Sequence, residues 1–210
     1  MSLRATLERL APVDAASVGR ALADFTPLDL ATGEHLLVAG QRATKLAFIE
    51  RGLVREYYVS AGGEEHVRSF CAEGTFTGSL YDLLSGADAI THIEALEPCR
   101  LWVAEWAHFQ ARCEREPGWH VAGRRIAEAL YQRKVVREHQ MLALTATERL
   151  EALRRELPHL ERRVKARHVA SYLGITPEHL SRVRAAPRRA PTSGGRSTGA
   201  RPRRRRAARR

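Results

Sequence analysis

Nowhere in the 210 residues does an apolar run approach the roughly 20 that a bilayer-spanning helix needs, so no membrane partner is expected. Only three cysteines occur, Cys71, Cys99 and Cys113. Odd in number and widely spaced, they fit reduced thiols of a cytoplasmic protein better than a disulfide framework. None precedes Cys71, which excludes an iron–sulfur switch built on closely spaced N-terminal cysteines. The nine histidines are scattered, and neither His66 nor His92 has the H-x-H neighbour that a metal-dependent jelly roll uses. No G-x-S-x-G elbow is present for nucleophilic catalysis. No catalytic residue, metal or other cofactor is therefore expected. The opening M-S-L-R-A-T-L-E-R-L is amphipathic and contains an acid, unlike a secretory signal.

What is present is an ordinary soluble composition, 44% hydrophobic and 28% charged, with a net charge of +11. That charge is unevenly placed. Residues 187–210 hold ten arginines and no acid, so the first 186 residues carry only +1. The high pI is a property of the tail and says little about the rest. With no aliphatic side chain larger than alanine, the tail cannot bury a core and reads as disordered. It either adds nonspecific phosphate contacts or has no function.

Residues 1–26 carry apolar side chains at helical spacing (Leu3, Leu7, Leu10, Val18, Leu22, Phe25), with Pro12 dividing two short helices. From Leu28 to Val103 the pattern changes to short strand-like runs between glycines: His35–Val38, Lys45–Glu50, Leu53–Val59, His66–Cys71, Thr91–Ala95 and Arg100–Val103. Their spacing predicts a β-barrel or jelly roll, with a hairpin turn at Ala61–Glu64. Trp106–Arg115 reads as a helix stopped by Pro117-Gly118. A long helix follows from Trp119 to about Leu142. Its stripe of Trp119, Ala122, Ile126, Ala129 and Val136, interrupted by Arg133 and Gln140, suits a two-helix seam in a homodimer. Thr145-Ala146-Thr147-Glu148 is a capping box opening a helix with Leu150, Leu153 and Leu157 inward, ended by Pro158.

The densest signal lies between Val164 and Arg184. Val169, Ala170 and Leu173 share one helical face, and Ala170 is small enough to let another helix cross. Gly174 stands where a helix end needs positive φ, and Ile175 plugs the angle. Thr176-Pro177-Glu178 supplies an N-cap oxygen, a proline at the first helical position and an early acid. Leu180 and Val183 then face inward, leaving Glu178, His179, Ser181, Arg182 and Arg184 outward. This predicts a helix-turn-helix whose second helix can reach base edges. Lys165, Arg167 and His168, at the start of the first helix, are placed for phosphate contact.

A-S-Y-L-G-I-T-P-E-H-L-S-R-V-R resembles the helix-turn-helix of Crp/Fnr-type bacterial transcription regulators, and G-E-H-L-L-V-A-G-Q through R-G-L-V-R-E-Y-Y is similar to their cyclic-nucleotide-binding β-roll. The resemblance implies an α+β fold. A sensing β-roll domain with N-terminal helices spans 1–116, a dimerisation helix 117–143 and a DNA-binding domain 144–186, followed by the tail 187–210. It implies double-stranded DNA as partner, with Glu178 and Arg182 at base-contacting positions and Thr176 beside them. RNA polymerase is a further implied partner. Pro177 departs from the pattern, standing where many members carry a base-reading arginine, and the family's frequent C-terminal wing is not visible. The cassette that holds cyclic AMP departs further. Ser79 stands for its glutamate and Ala89 for its arginine, and no Arg or Lys occurs between Arg68 and Arg100. A buried phosphate would lack its charge-assisted partner, so cyclic AMP is not expected by that mode. Gly74, Gly78, Ser79 and Tyr81 are candidates to line a pocket for another small-molecule effector. Two other readings stay open: a sensor module without DNA affinity, and a cupin-like metalloenzyme.

Overall fold

A computed structural model describes residues 1–185. Two short helices, α1 (Leu3–Leu10) and α2 (Ala15–Leu22), are capped by Ser2 and Asp14 and separated by Pro12, as their spacing predicted. Eight strands follow: β1 (Thr26–Leu30), β2 (His35–Leu37), β3 (Lys45–Arg51), β4 (Val54–Val59), β5 (Glu65–Cys71), β6 (Phe76–Thr77), β7 (His92–Ala95) and β8 (Cys99–Glu105), with helix α3 (Leu80–Ser85) between β6 and β7. They form two antiparallel sheets, ordered β1-β8-β3-β6 and β2-β7-β4-β5. Alternation sends Ala47, Ile49, Leu101 and Val103 of one sheet against Val54, Ile93 and Ala95 of the other, making the core of the roll. The β4–β5 hairpin turns where expected, Ser60 N–H donating to the Glu64 carbonyl at 2.9 Å. Strand β1 escaped the pattern because Pro27 lies in it; β1 is an edge strand, where a missing N–H does no harm.

Helix α4 (Trp106–Arg115) ends at Glu116. Pro117, read from the sequence as a stop, is also the first residue of α5 (Pro117–Ala143), the N-terminal position that proline suits. Gly118 is required there: a Cβ would lie 2.3 Å from Val13 Cγ1 and 2.9 Å from the Pro12 carbonyl oxygen. The stripe expected along α5 divides. Trp119 and Ala122 are buried with α1, α2 and Phe48 in a second core, Ile126 is half-buried, and Ala129 and Val136 face solvent.

After the extended residue Leu144 come α6 (Ala146–Glu156), α7 (Leu160–Arg163), α8 (Ala166–Leu173) and α9 (Pro177–Ala185). The capping box forms, Thr145 Oγ1 accepting from Glu148 N–H at 3.3 Å while Glu148 Oε2 accepts from Thr145 N–H at 2.8 Å. Leu150, Leu153, Leu160, Val169, Ala170, Leu173 and Leu180 do not close a core by themselves. They share one with Leu53, Tyr57, Val67 and Phe70 of the roll. The arginine-rich tail at 187–210 lies outside the described residues.

Candidate functional site

Helices α8 and α9 meet through a turn whose hydrogen bonds are those of a Schellman motif. Ile175 N–H donates to the Ala170 carbonyl at 3.1 Å and Gly174 N–H to the Ser171 carbonyl at 3.1 Å. Gly174 takes φ +66°, and a Cβ there would sit 2.6 Å from Met141 Cε at the end of α5. Thr176 Oγ1 accepts from His179 N–H at 3.2 Å and starts α9. The hydroxyl of Thr176 is thereby committed to capping.

The outward face of α9 follows the helical spacing. Leu180 is fully buried and Val183 half-buried, while Glu178, Ser181 and Arg182 are exposed and His179 is half-buried. Among the described residues neither Arg182 nor Ser181 has a side-chain hydrogen bond or ion pair. The Glu178 carboxyl is held below the usual carboxylate range by a backbone N–H and by Thr176. Lys165 and Arg167 are exposed at the start of α8. Two expected members of this surface differ. Arg184 donates to Glu161 Oε1 at 2.9 Å, so its charge is shared with α7. His168 is buried and turned to the roll, because α8 carries it toward β4 on the same face as Val169 and Tyr172. It is not available for phosphate contact here.

His168 belongs instead to a polar latch that sequence reasoning missed. Arg55, on β4, has a side chain only 3% exposed. It donates through Nε to Glu94 Oε2 at 2.7 Å, through Nη1 to Glu65 Oε2 at 2.5 Å, and through Nη1 to His168 Nδ1 at 3.0 Å. Its guanidinium also lies 4.0 Å from the Tyr57 ring centre. Burial works against the charge of Arg55, and the hydrogen bonds of Glu65 and Glu94 outweigh it, holding the pKa above its ordinary value. Since arginine only donates, His168 Nδ1 must accept, and the ring is neutral. Burial, with the charges of Arg55 and Arg167, pulls its pKa down to about 4. Beside the latch, Ser171 Oγ accepts from Val67 N–H at 2.9 Å and donates to the Glu65 carbonyl at 2.8 Å, occupying polar groups on the edge of β5. Arg163 adds ion pairs to Glu73 at 2.6 Å and Glu97 at 2.5 Å. A strand arginine flanked by buried Val54 and Glu56 was the one sequence cue to this arrangement.

Helix α5 grips the same unit from the other side. Arg137 donates to the Tyr172 carbonyl and stacks 3.8 Å from its ring centre, and Gln140 Nε2 donates to Glu156 Oε1 at 2.8 Å. Arg149 Nη1 donates to the carbonyls of Met141 (3.2 Å) and Leu144 (3.3 Å), fixing the α5–α6 corner.

The four candidate effector residues are not brought together. Gly74 packs under Met1, and Tyr81 is 63% exposed. Gly78 (φ +142°) lies against the backbone of Leu46 and borders an apolar cleft outside the roll. Ser79 is buried, its Oγ accepting from Thr91 Oγ1 at 3.0 Å. Asp82 lies with them and accepts from Ile90 N–H at 3.1 Å. Burial raises the Asp82 pKa, but Thr91, Ile90 and Ser79 together outweigh it and hold the carboxyl low. Ala89 is buried in the roll core. The hydroxyls of Ser79 and Thr91 thus pair with each other, while Asp82 Oδ2 is buried without a hydrogen-bond partner among the described residues. Cys71, against Ser69 and Glu56, has its thiol pushed up to about 12, chiefly by burial, and is not a reactive thiolate. Among the described residues no cluster of three or more His, Cys, Asp or Glu can hold a metal, and no helix is long and apolar enough to cross a membrane.

Residues 27–116 match the family of the cyclic nucleotide-binding domain. Among curated proteins none matches the sequence. The fold is similar to that of FixK2 from Bradyrhizobium japonicum, at 18% identity over 77% of this chain and 83% of that one, with a TM-score of 0.68. It is also similar to CLP, a c-di-GMP-responsive global regulator of Xanthomonas campestris, at 17% identity over 81% and 89% (TM-score 0.64). A third likeness is to a CooA variant from Carboxydothermus hydrogenoformans, at 15% identity over 79% and 77% (TM-score 0.62). Residues 27–116 are thus similar to a cyclic nucleotide-binding domain, within a fold like those of FixK2, CLP and CooA, regulators of the Crp/Fnr family.

Proposed function

We propose that the protein is a sequence-specific DNA-binding transcription regulator that acts as a homodimer, with α8 and α9 as its helix-turn-helix. The observation that carries this reading is the asymmetry of α9. Leu180 anchors it, while Glu178, Ser181 and Arg182 stand exposed on the opposite side. In the major groove Arg182 would donate to guanine O6 and N7, Glu178 would accept from cytosine N4, and Ser181 would pair with either. Lys165 and Arg167 would take phosphates and set the register.

The exposed apolar residues of α5 support the dimer. Tyr131, Val135, Val136 and Leu142 are apolar and between 44% and 81% exposed, a costly surface for a monomer. Two reading heads would then lie about one helical turn of DNA apart. The end of α5 touches Gly174 through Met141, so a shift of α5 against the roll moves the α8–α9 pair. An effector that favours one position would change the population able to bind both half-sites. Cyclic AMP held by an arginine–glutamate clamp is not that effector: Ala89 and Ser79 occupy the two positions, and Ser79 is bonded to Thr91. RNA polymerase is a proposed partner by the same family resemblance, without a surface assigned to it.

Selection of duplexes from a random DNA pool by the purified full chain tests the reading. The expected product is a two-fold symmetric sequence whose half-sites are centred roughly 10 base pairs apart. Recovery of unenriched sequence, from a folded and dimeric protein, would overturn it.

A further inference from the structure

Along α9, Glu178, Ser181, Arg182 and Ala185 share the outward face by the 3.6-residue turn, and Arg184 falls on its flank, beside Leu180. A helix with its side chains is about 10–12 Å across, and the major groove of DNA is about 12 Å wide. A helix that turns one face to the base edges therefore sets its flanks against the phosphate walls. Arg184 is so placed, yet it is already held by an anion, Glu161 of α7.

That carboxylate is shared. Its Oε1 accepts from Arg184 Nε at 2.9 Å and lies 2.9 Å from Arg184 Nη2, while its Oε2 accepts from Arg154 Nε of α6 at 2.5 Å. Two guanidinium groups from two helices thus converge on one carboxylate, which leaves positive charge in excess. Each arginine has a single oxygen, so neither is matched by both oxygens of an anion, the geometry that makes arginine–phosphate pairs strong. The side chains are part-exposed, 33% for Arg184 and 21% for Glu161, and such pairs contribute little net stability. Glu161 itself is fixed. Leu160 beside it is buried in the core shared with the roll, and Arg163 is paired with Glu73 and Glu97. Were Arg184 to swing away, Arg154 would still neutralise the carboxylate, so no lone charge would be left behind.

We infer that Glu161 is a stand-in for a DNA phosphate: it holds Arg184 on the flank of α9 in the free protein, and a backbone phosphate takes that arginine over in the complex while Arg154 keeps Glu161 paired. Glu161 is thus a positioning residue that touches no base. Its opposition falls on every DNA sequence alike, so it sets the strength of backbone binding rather than the choice of bases. The inference rests on the DNA-reading assignment of α9, and its test separates the two.

Binding of the full chain to a selected and to a scrambled duplex, each followed across a range of salt, supplies that test. Arg184→Ala should make the log–log salt slope shallower by about 0.9 per subunit on both duplexes. Arg184→Lys, which keeps a charge for the phosphate, should restore the slope. Glu161→Gln should raise affinity for both duplexes by roughly twofold to fivefold per subunit, the worth of one part-exposed ion pair. Most of that gain should vanish when Arg184→Ala is added, and the preference for the selected duplex should not change. An unchanged slope in folded Arg184→Ala would overturn the inference, since the arginine would then never leave Glu161. An equal gain from Glu161→Gln in both backgrounds would also overturn it, because Glu161 would then merely repel DNA. The slope measurement needs only the Arg184 variants, so it stands even should Glu161→Gln not fold. A folded wild type that prefers neither duplex would remove the DNA-reading assignment as well; a normal preference with an unchanged slope would remove this inference alone.

Discussion

Helices α8 and α9 are neighbours of nearly equal length separated by three residues, yet their surfaces meet opposite fates. Helix α8 buries His168, Val169, Ala170, Tyr172 and Leu173, and nearly every polar group it turns inward has a named partner on the roll or on α5. Helix α9 buries only Leu180; Arg184 of its polar face is tied to Glu161, but Ser181 and Arg182 have no side-chain partner among the described residues. The first pattern is that of an element held in place, since buried polar groups must be satisfied. The second is that of an element offered to something else. Exposure alone would not separate function from filler; the contrast with a helix so closely tied, one turn away, is what gives the open face its meaning.

Four substitutions or conditions probe that contrast, in falling order of expected effect on folding. Leu173→Ala opens a cavity in the core shared by α8 and the roll and should cost about 2–5 kcal/mol in chemical unfolding. A loss under about 0.5 kcal/mol would mean that α8 is not docked as described. Gly174→Ala forces a Cβ into positive φ and against Met141, and should cost about 1–3 kcal/mol in the same measurement.

Acid should loosen the docked side through His168, which faces Arg55, Glu65, Glu94 and Arg167. Its folded pKa of about 4 lies below the ordinary 6.5. The unfolded chain therefore takes up a proton below about pH 6.5 that the folded chain refuses until about pH 4. Stability contributed by the neutral ring is complete above that window and lost on descending through it. His168→Gln, compared with wild type, should flatten the pH dependence by up to about 1.4 kcal/mol per unit across the window. Identical slopes would show that His168 titrates freely. At the small end, Arg182→Ala should change unfolding stability by less than about 0.5 kcal/mol. A larger loss would mean that the α9 face has a structural partner after all.

What could be read in advance was what is local. The Gly174 turn, the Thr176-Pro177 start, the Thr145–Glu148 box and the β4–β5 hairpin each depend on residues within a few positions of one another, so their chemistry is written contiguously. The latch was not legible because Arg55 and His168 lie 113 positions apart. Nothing near His168 distinguishes a helix-starting histidine that meets phosphate from one that meets a strand. The same distance effect hid the pairing of Arg184 with Glu161, across the α7–α9 contact. The effector residues were proposed from a cassette alignment. Alignment locates backbone, but it could not show that Tyr81 points to solvent or that Ser79 is already satisfied by Thr91. Strand β1 was concealed by Pro27, whose edge position only the sheet order reveals.

The most direct trial of the exposed α9 face is the affinity of wild type and Arg182→Ala for a selected duplex and a scrambled one, each measured across a range of salt. If Arg182 reads a base, the variant loses about 1–3 kcal/mol on the selected duplex and little on the scrambled one, with both salt slopes nearly kept. Equal affinity of the two proteins for the selected duplex would contradict that assignment, and with it the claim that α9 is the DNA-reading surface.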